Sequence, residues 1–200
     1  MFEGDLDHLQ RQLAFLAEID KLKGVLRQSR IADGSRRENS AEHSWHLAMF
    51  AVLLADHAEG VDVFKVVRML LIHDIVEIDA GDHPYHDEAH DWAAIAQKER
   101  EAADRLFAIP PEPQASELRA LWDEFEAAET PEAKFAKALD RMQPILLNLL
   151  VGGGTWDDFA VTEESVVARC GETIAAASPR LWEETRALIR AHFAARDSLA

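Results

Sequence analysis

The stretch VVRMLLIHDIVEI, residues 66–78, is almost entirely apolar and decides how the chain folds. Apolar residues at this density predict a helix over about 63–79 that lies in the protein core. Two adjacent polar residues, His73 and Asp74, interrupt the stretch, and their burial is costly unless something pairs with them. Glu77 follows one helical turn later and borders the same site. Three polar groups on one buried helix require a cation, a shared hydrogen-bond network or a cavity.

Apolar residues recur at helical spacing on both sides of this stretch. No segment shows the sustained alternation that is typical of a strand, and polar loops are predicted over 31–39 and 80–90. The periodicity therefore predicts an all-α fold, with about seven or eight helices in a single domain that spans residues 1–200. Besides the core helix, the predicted segments cover about 6–26, 40–58, 88–107, 114–128 and 131–151 (a segment that Pro144 can kink), with two more that begin near Thr162 and Ser178.

The composition narrows the possible partners and the compartment. The chain has 200 residues, with 21 Lys and Arg and 37 Asp and Glu, so its net charge is −16. This acidic charge argues against binding to nucleic acid, because such binding relies on Lys and Arg that neutralise phosphates. The exception is a local basic cluster that a small phosphorylated substrate could use: Arg27, Arg30, Arg36 and Arg37. One cysteine, no signal peptide and no long apolar run predict a cytoplasmic protein without a membrane segment.

Three short stretches carry side chains that can bind a metal ion. They are AEHSWH at 41–46, IHDIVE at 72–77 and ALDR at 138–141, and each lies within or beside an apolar helix. Imidazole nitrogen and carboxylate oxygen atoms suit divalent ions such as Mn, Fe, Co, Ni, Zn and Mg. Simpler interpretations are a core histidine bonded to its neighbouring aspartate, or an ordinary helix salt bridge. The candidate ligands from the three stretches are His43, His73, Asp74 and Asp140.

The fuller strings AEHSW (41–45), LLIHDIVEIDAGD (70–82) and AKALDR (136–141) resemble the HD-domain superfamily of metal-dependent phosphohydrolases. Within that superfamily they look like the 5′-deoxynucleotidase branch. The resemblance runs over about residues 13–150 and implies one HD-domain helical bundle, with C-terminal helices over 162–196 packed on the motif-bearing core.

The resemblance also implies roles for individual residues. His43, His73, Asp74 and Asp140 match the metal ligands of the family. Glu77 matches the carboxylate that orients or activates water, and in some relatives this residue helps to hold a second ion. Asp82 matches an acid that contacts the sugar or joins that second site. Arg27 matches the arginine that meets the phosphate, with Arg30 and Arg36 as rivals across a loop of variable length. From elementary charge considerations, Arg141 could balance the phosphoryl charge from the opposite wall.

The function expected from this resemblance is hydrolysis of a small phosphate monoester, in the first place a 5′-deoxyribonucleoside monophosphate, with a divalent cation as cofactor. Gln28 stands where the deoxynucleotidase pattern has an aromatic residue, and this difference bears on nucleotide selectivity. Relatives of this type often form homodimers, and the apolar C-terminal helices favour the same expectation here.

Two alternatives stay open at this stage. The density of histidines and acids over residues 82–90 resembles an additional metal site, and a di-iron oxygenase on the same scaffold would use these histidines as ligands. A nucleotide-binding regulatory module without activity would need a broken ligand set, whereas all the matching ligands are intact. The sequence therefore favours the hydrolase over both alternatives.

Overall fold

The computed structural model describes residues 6–83 and 91–198, apart from the side chain of Asp197. The predicted all-α class is confirmed, because helices form nearly all of the regular structure in these residues. Their bounds are α1 His8–Ile19, α2 Ser40–Leu54, α3 Val63–Ile72, α4 Glu77–Ala80, α5 Trp92–Leu106, α6 Gln114–Ala127, α7 Pro131–Leu150, α8 Thr155–Asp158, α9 Glu163–Ala177 and α10 Pro179–Asp197. None of the helices described is long and apolar enough to traverse a bilayer.

The expectation that the chain has no strand was wrong. The helix predicted over 6–26 ends at Ile19, a 3-10 turn covers Asp20–Gly24, and two antiparallel strands follow, β1 (Leu26–Arg30) and β2 (Arg37–Asn39). Gly34, with φ of +71°, allows the tight loop between the strands. This hairpin is what carries Arg27 toward the core.

The apolar stretch at 66–78 does not form one continuous helix. The α-helix ends at Ile72, the buried residues His73–Val76 form a 3-10 turn, and α4 resumes at Glu77. In a 3-10 turn, residues three apart in the chain lie above one another, so Asp74 and Glu77 face the same side. The chain then leaves the core at Gly81, whose φ is +81°. The interruption of the helix therefore occurs at the polar residues themselves.

The core is formed where α3 packs between α2, α6 and α7, and α9 and α10 pack against α7 on its other side. Leu47, Met69, Phe125 and Leu139 are among its fully buried side chains. The long helix α7 begins as predicted, with the Thr130 hydroxyl accepting from the Ala133 amide, and it continues through Pro144 to Leu150. Three of these core helices, or the turns that extend them, contribute side chains to one polar cluster.

Candidate metal centre

His43 lies in the first turn of α2, which is fixed by a reciprocal capping box between Asn39 and Glu42. The imidazole is fully buried. Its Nδ1 lies 3.0 Å from Oε1 of Gln143 and its Nε2 lies 3.1 Å from Oδ1 of Asp140. Because an amide oxygen only accepts hydrogen bonds, Nδ1 carries a proton toward Gln143. Nε2 faces the Asp140 carboxylate, which also only accepts, and a bound cation would take the place of the proton between these two atoms.

His73 is oriented in the same way by its own backbone. Its Nδ1 donates to the carbonyl oxygen of Leu70 over 2.9 Å, which leaves Nε2 pointing into the cluster. Among the residues that the structure describes, the buried Nε2 has no hydrogen-bond partner, although it lies 3.0 Å from Oδ1 of Asp74 and 3.7 Å from Oδ1 of Asp140. A buried nitrogen without a hydrogen bond and surrounded by carboxylates is the arrangement that a bound cation would satisfy.

The donor atoms converge closely enough to share one ion. One ligand atom each from His43, His73 and Asp140 lies within 4.8 Å of the others. Asp74 stands beside them, with its Oδ2 3.9 Å from Nε2 of His43. Two imidazole nitrogen atoms and two carboxylates suit Mn, Fe, Co, Ni or Zn, and these residues therefore fit a divalent cation.

Arg27 supplies the positive charge of the cluster from β1. Its buried guanidinium lies with Nη1 2.9 Å from Oδ2 of Asp74, 3.4 Å from Oδ1 of Asp82 and 3.7 Å from Oε1 of Glu77. In the protein without a metal ion, burial opposes the charging of His73, but the carboxylates of Asp74 and Asp140 raise its pKa to about 10. Although burial opposes the ionisation of Asp74, the charges of His73 and then Arg27 hold the pKa of its carboxyl down at about 2. The centre therefore combines a concentration of negative charge with one arginine whose Nη1 faces three of the carboxylates.

Glu77 has a different electrostatic environment from Asp74. Its Oε2 accepts a hydrogen bond of 2.6 Å from the Ser40 hydroxyl, and its Oε1 is directed toward Arg27. Burial, and then repulsion by Asp74, raise the pKa of Glu77 well above its usual value. Burial likewise raises the pKa of Asp82. These two carboxyl groups therefore hold a proton more readily than Asp74, which is the property of a proton-transfer group.

The predicted site residues are not all brought together. Arg141 lines the cavity, with its Nη1 3.8 Å from Oδ2 of Asp140. Arg36 instead forms an exposed bidentate pair with Glu42, and Arg30 is exposed at the end of β1. Of the candidate extra ligands, His83 bonds the carbonyl oxygen of Ala80, whereas His86, Asp87, Glu88 and His90 lie outside the described residues.

Three polar residues of the cluster were missed by the sequence analysis: Ser40, Glu38 and Gln143. Gln143 lies three residues after Asp140, so helical spacing could have placed it on the same face of α7. Glu38 belongs to β2, and no strand was expected there. Its position depends on the hairpin, which nothing in its local sequence indicates.

A cavity of about 210 Å³ opens beside the cluster. Its polar side includes Arg27, Glu77, Asp82 and Arg141, and its outer walls include Trp92 and Phe159. Gln28 also lines it. The cavity therefore joins the charged centre to partly aromatic walls, a combination that suits a charged group attached to a planar one.

Comparison with known proteins places this arrangement in a family. Residues 19–182 match the family model of the HD domain. The human protein 5′-deoxynucleotidase HDDC2 is 32% identical over 140 residues, which cover 67% of this chain and 65% of the human protein, a little under two thirds of its length. The fission yeast (Schizosaccharomyces pombe) 5′-deoxynucleotidase hdd1 is 26% identical over 139 residues, 66% of this chain and 67% of that protein.

Among solved structures, one described as a predicted metal-dependent phosphohydrolase from Magnetospirillum magnetotacticum MS-1 is 51% identical and superposes with a TM-score of 0.89 over 96% of each chain. The PH0347 protein of Pyrococcus horikoshii OT3 shares the fold at 20% identity, with a TM-score of 0.65 over 88% of this chain and 99% of that one. The resemblance inferred from the sequence is thus confirmed for the family, and the chain belongs to the HD-domain family.

Proposed function

We propose that this protein is a divalent-metal phosphohydrolase that cleaves 5′-deoxyribonucleoside monophosphates to nucleoside and phosphate. The observation that carries the proposal is the convergence of His43, His73, Asp74 and Asp140 beside the buried guanidinium of Arg27. The names of the human and fission yeast relatives support the nucleotide substrate, and the description of the Magnetospirillum structure supports metal-dependent phosphoryl chemistry.

His43, His73, Asp74 and Asp140 would hold the ion, which supplies Lewis acidity to a phosphoryl oxygen and lowers the pKa of water when bound. The substrate phosphate enters beside them and binds Arg27, which exchanges its contacts with carboxylates for contacts with phosphate oxygens. Arg141 also lines the cavity, beside Asp140, and would face the phosphate from there. The two arginines balance the negative charge that spreads over the phosphoryl oxygens during transfer.

Glu77 is the proton acceptor in this proposal. The Ser40 hydroxyl holds Oε2, so Oε1 is the oxygen left to take a proton from the attacking water. A carboxylate whose pKa is raised is a stronger base than an ordinary one, and burial raises the pKa of Glu77. Asp82 would position the sugar or contribute, with Glu77, to a second ion. Trp92 and Phe159 provide apolar surface for the nucleoside.

Phosphate release from a panel of 5′-deoxyribonucleotides, 5′-ribonucleotides and simple monoesters tests this function. The metal-stripped protein is restored in turn with Mn²⁺, Co²⁺, Mg²⁺ or Fe²⁺. We expect release from the deoxyribonucleotides, lost in Asp74→Asn and in Arg27→Met. Arg36→Met is the matched control, because Arg36 pairs with Glu42 outside the cavity. Absence of release with every metal would refute the hydrolase, and two bound irons per chain would then favour an oxygenase.

We also propose that the chain forms a homodimer through α2, α7 and α10. These helices line an apolar groove that includes Phe50, Leu53, Leu149 and Leu188, and Leu53 is 70% exposed. Exposed apolar surface of this kind marks an interaction face. A sedimentation measurement that gives a monomer at micromolar concentration would refute the dimer. The cytoplasmic location stays a prediction.

A further inference from the structure

Glu38 is a buried carboxylate next to the metal centre that the proposed mechanism leaves without a role. It is 3% exposed and lies on β2, one strand away from Arg27. Its Oε1 accepts a hydrogen bond of 2.7 Å from Nε2 of Gln143. Its Oε2 is buried and has no hydrogen-bond partner among the described residues. An ionisable group is costly to keep in such a place, so its retention calls for an explanation.

The hydrogen bond between Glu38 and Gln143 can run in only one direction, with Gln143 as the donor. Oε1 of Glu38 is the acceptor in this bond, so Gln143 turns its amide NH2 group toward Glu38. The amide oxygen of Gln143 then faces Nδ1 of His43 at 3.0 Å, and this oxygen can only accept as well. Nδ1 of His43 is therefore the donor, and the lone pair of Nε2 is directed at the metal centre.

The second amide hydrogen of Gln143 is also used. Its Nε2 lies 3.2 Å from Nδ1 of His46. Burial lowers the pKa of His46, so this imidazole is neutral and its Nδ1 can accept. With both amide hydrogens engaged and the amide oxygen on His43, Gln143 cannot flip without losing three hydrogen bonds at once. The orientation of the amide is thus over-determined by its surroundings.

The same carboxylate also faces the arginine of the site. Oε2 of Glu38 lies 3.9 Å from Nε of Arg27 and 3.5 Å from Nδ1 of His43. Glu38 therefore stands between the histidine side of the centre and the guanidinium that faces Asp74. Gln143, in contrast, makes its described side-chain hydrogen bonds to His43, His46 and Glu38, and does not face Arg27 directly.

We propose that Glu38 and Gln143 form a directional relay that holds His43 as an Nε2 metal ligand. They are positioning residues, because neither touches the ion or the substrate. The relay rests on the metal centre of the proposed function. It adds a determinant of metal affinity that lies on β2 and α7, outside the four ligands. Hydrogen-bond partners of this kind typically change metal affinity by about 10- to 100-fold.

Titration of the metal-stripped full-length protein with Co²⁺, followed by its visible absorption, tests the relay without any activity assay. Gln143→Met keeps the side-chain length and removes both hydrogen-bonding ends, and we expect the Kd for Co²⁺ to rise about 10- to 100-fold. In Glu38→Gln, the new amide can both donate and accept, so it no longer fixes the orientation of the Gln143 amide. We expect the Kd for Co²⁺ to rise less than in Gln143→Met. Thr185→Val is the matched control, since it removes a buried hydrogen bond to Leu181 within α10, a helix that contributes no described side chain to the polar cluster.

The exchanged pair Glu38→Gln/Gln143→Glu distinguishes a relay from a merely structural role. The amide at 38 would donate to the carboxylate at 143, and that carboxylate would still accept from His43. The hydrogen bond between positions 38 and 143 then runs in the opposite direction, but position 143 still accepts from Nδ1 of His43, so we expect tighter Co²⁺ binding than in Gln143→Met. Circular dichroism on every variant checks that the fold is retained.

The outcomes separate the relay from the proposed function. Wild-type Co²⁺ affinity in both single variants would overturn the relay, even where phosphate release is normal. An exchanged pair no better than Gln143→Met would overturn it as well. A wild-type protein that binds no Co²⁺ would overturn the relay together with the metal centre. If the Glu38 and Gln143 variants bind Co²⁺ more weakly as expected, but the wild type releases phosphate from no substrate, the relay is supported and the hydrolase is refuted.

Discussion

Replacement of Arg27 by methionine is the most informative single perturbation of the polar cluster. The guanidinium lies 2.9 to 3.7 Å from the carboxylates of Asp74, Asp82 and Glu77 and 3.9 Å from that of Glu38. Methionine keeps much of the apolar stem and removes the charge. In the metal-free protein, the variant leaves three buried acids and the half-buried Asp82 without their arginine.

Removal of one partner from a buried ion pair typically costs about 3–5 kcal/mol, because the remaining charge stays buried without compensation. For a chain of this size that corresponds to a fall of about 6–20 °C in melting temperature. The loss should depend on pH. Burial already raises the pKa values of Glu77 and Asp82, and the variant raises them further, so protonation relieves the repulsion in acid.

The sign of this pH dependence follows from proton linkage. A carboxyl whose folded pKa lies above its unfolded value destabilises the fold increasingly as pH rises through that interval. Asp74 acts in the opposite sense: its pKa of about 2 stabilises the wild type above the unfolded value of 3.8, and this contribution shrinks without Arg27. We therefore expect Arg27→Met to lose more stability at about pH 8 than at about pH 5.

Thermal unfolding of the metal-stripped proteins, followed by circular dichroism, measures both effects. Saturating Mn²⁺ should restore part of the loss, because a dication replaces the missing positive charge. Arg36→Met is the control and should melt with the wild type, since the Arg36–Glu42 pair is exposed. If Arg27→Met unfolds with the wild type at both pH values, the argument that Arg27 compensates buried carboxylates is wrong.

Three further predictions concern other parts of the molecule. Burial, and then Glu126, raise the pKa of Glu99 from 4.5 to about 7, which destabilises the fold increasingly over that interval. Glu99→Gln should therefore gain about 1–2 kcal/mol above neutral pH in urea unfolding, after allowance for partial exposure, and nothing in acid. Mn²⁺ at about 100 times its Kd should raise the free energy of unfolding of the wild type by about 2.7 kcal/mol. In a thermal melt, His43→Ala should show no such stabilisation by Mn²⁺. Gly154→Ala should cost at least about 1–3 kcal/mol in urea, because φ is +53° and a Cβ would lie 2.6 Å from Oδ1 of Asn148; unchanged stability would contradict the described turn.

The helical part of the fold could be predicted because its signals are local. The start of α7, with Thr130 as the cap and Pro131 in the first turn, is visible in the sequence and is found in the structure. The candidate ligands His43, His73, Asp74 and Asp140 were identified from residue type and spacing, and the fold brings their side chains together. Whether they bind an ion stays a prediction.

The remainder depends on contacts that local sequence does not encode. β1 reads LRQSR, which lacks alternation because neither face of a two-stranded hairpin forms a conventional core. The hairpin turns Arg27 inward and leaves Arg36 at the surface, so helical periodicity could not separate these two arginines. The 3-10 turn at His73–Val76 could not be predicted either, because a continuous apolar run has the same sequence pattern in an α-helix and in a 3-10 turn.

Pro144 has a mechanical consequence for the residue that lies one turn before it. A proline has no amide hydrogen, so the carbonyl oxygen of Asp140 lacks the donor that a regular α-helix supplies four residues later. Bending of α7 at this point breaks no additional backbone hydrogen bond and is therefore inexpensive. A small bend moves the Asp140 carboxylate relative to His73, whose ring is held by the carbonyl oxygen of Leu70 outside α7. The chain thus combines a fixed nitrogen donor with an oxygen donor that can move, which would let the same pocket accommodate ions of different radius.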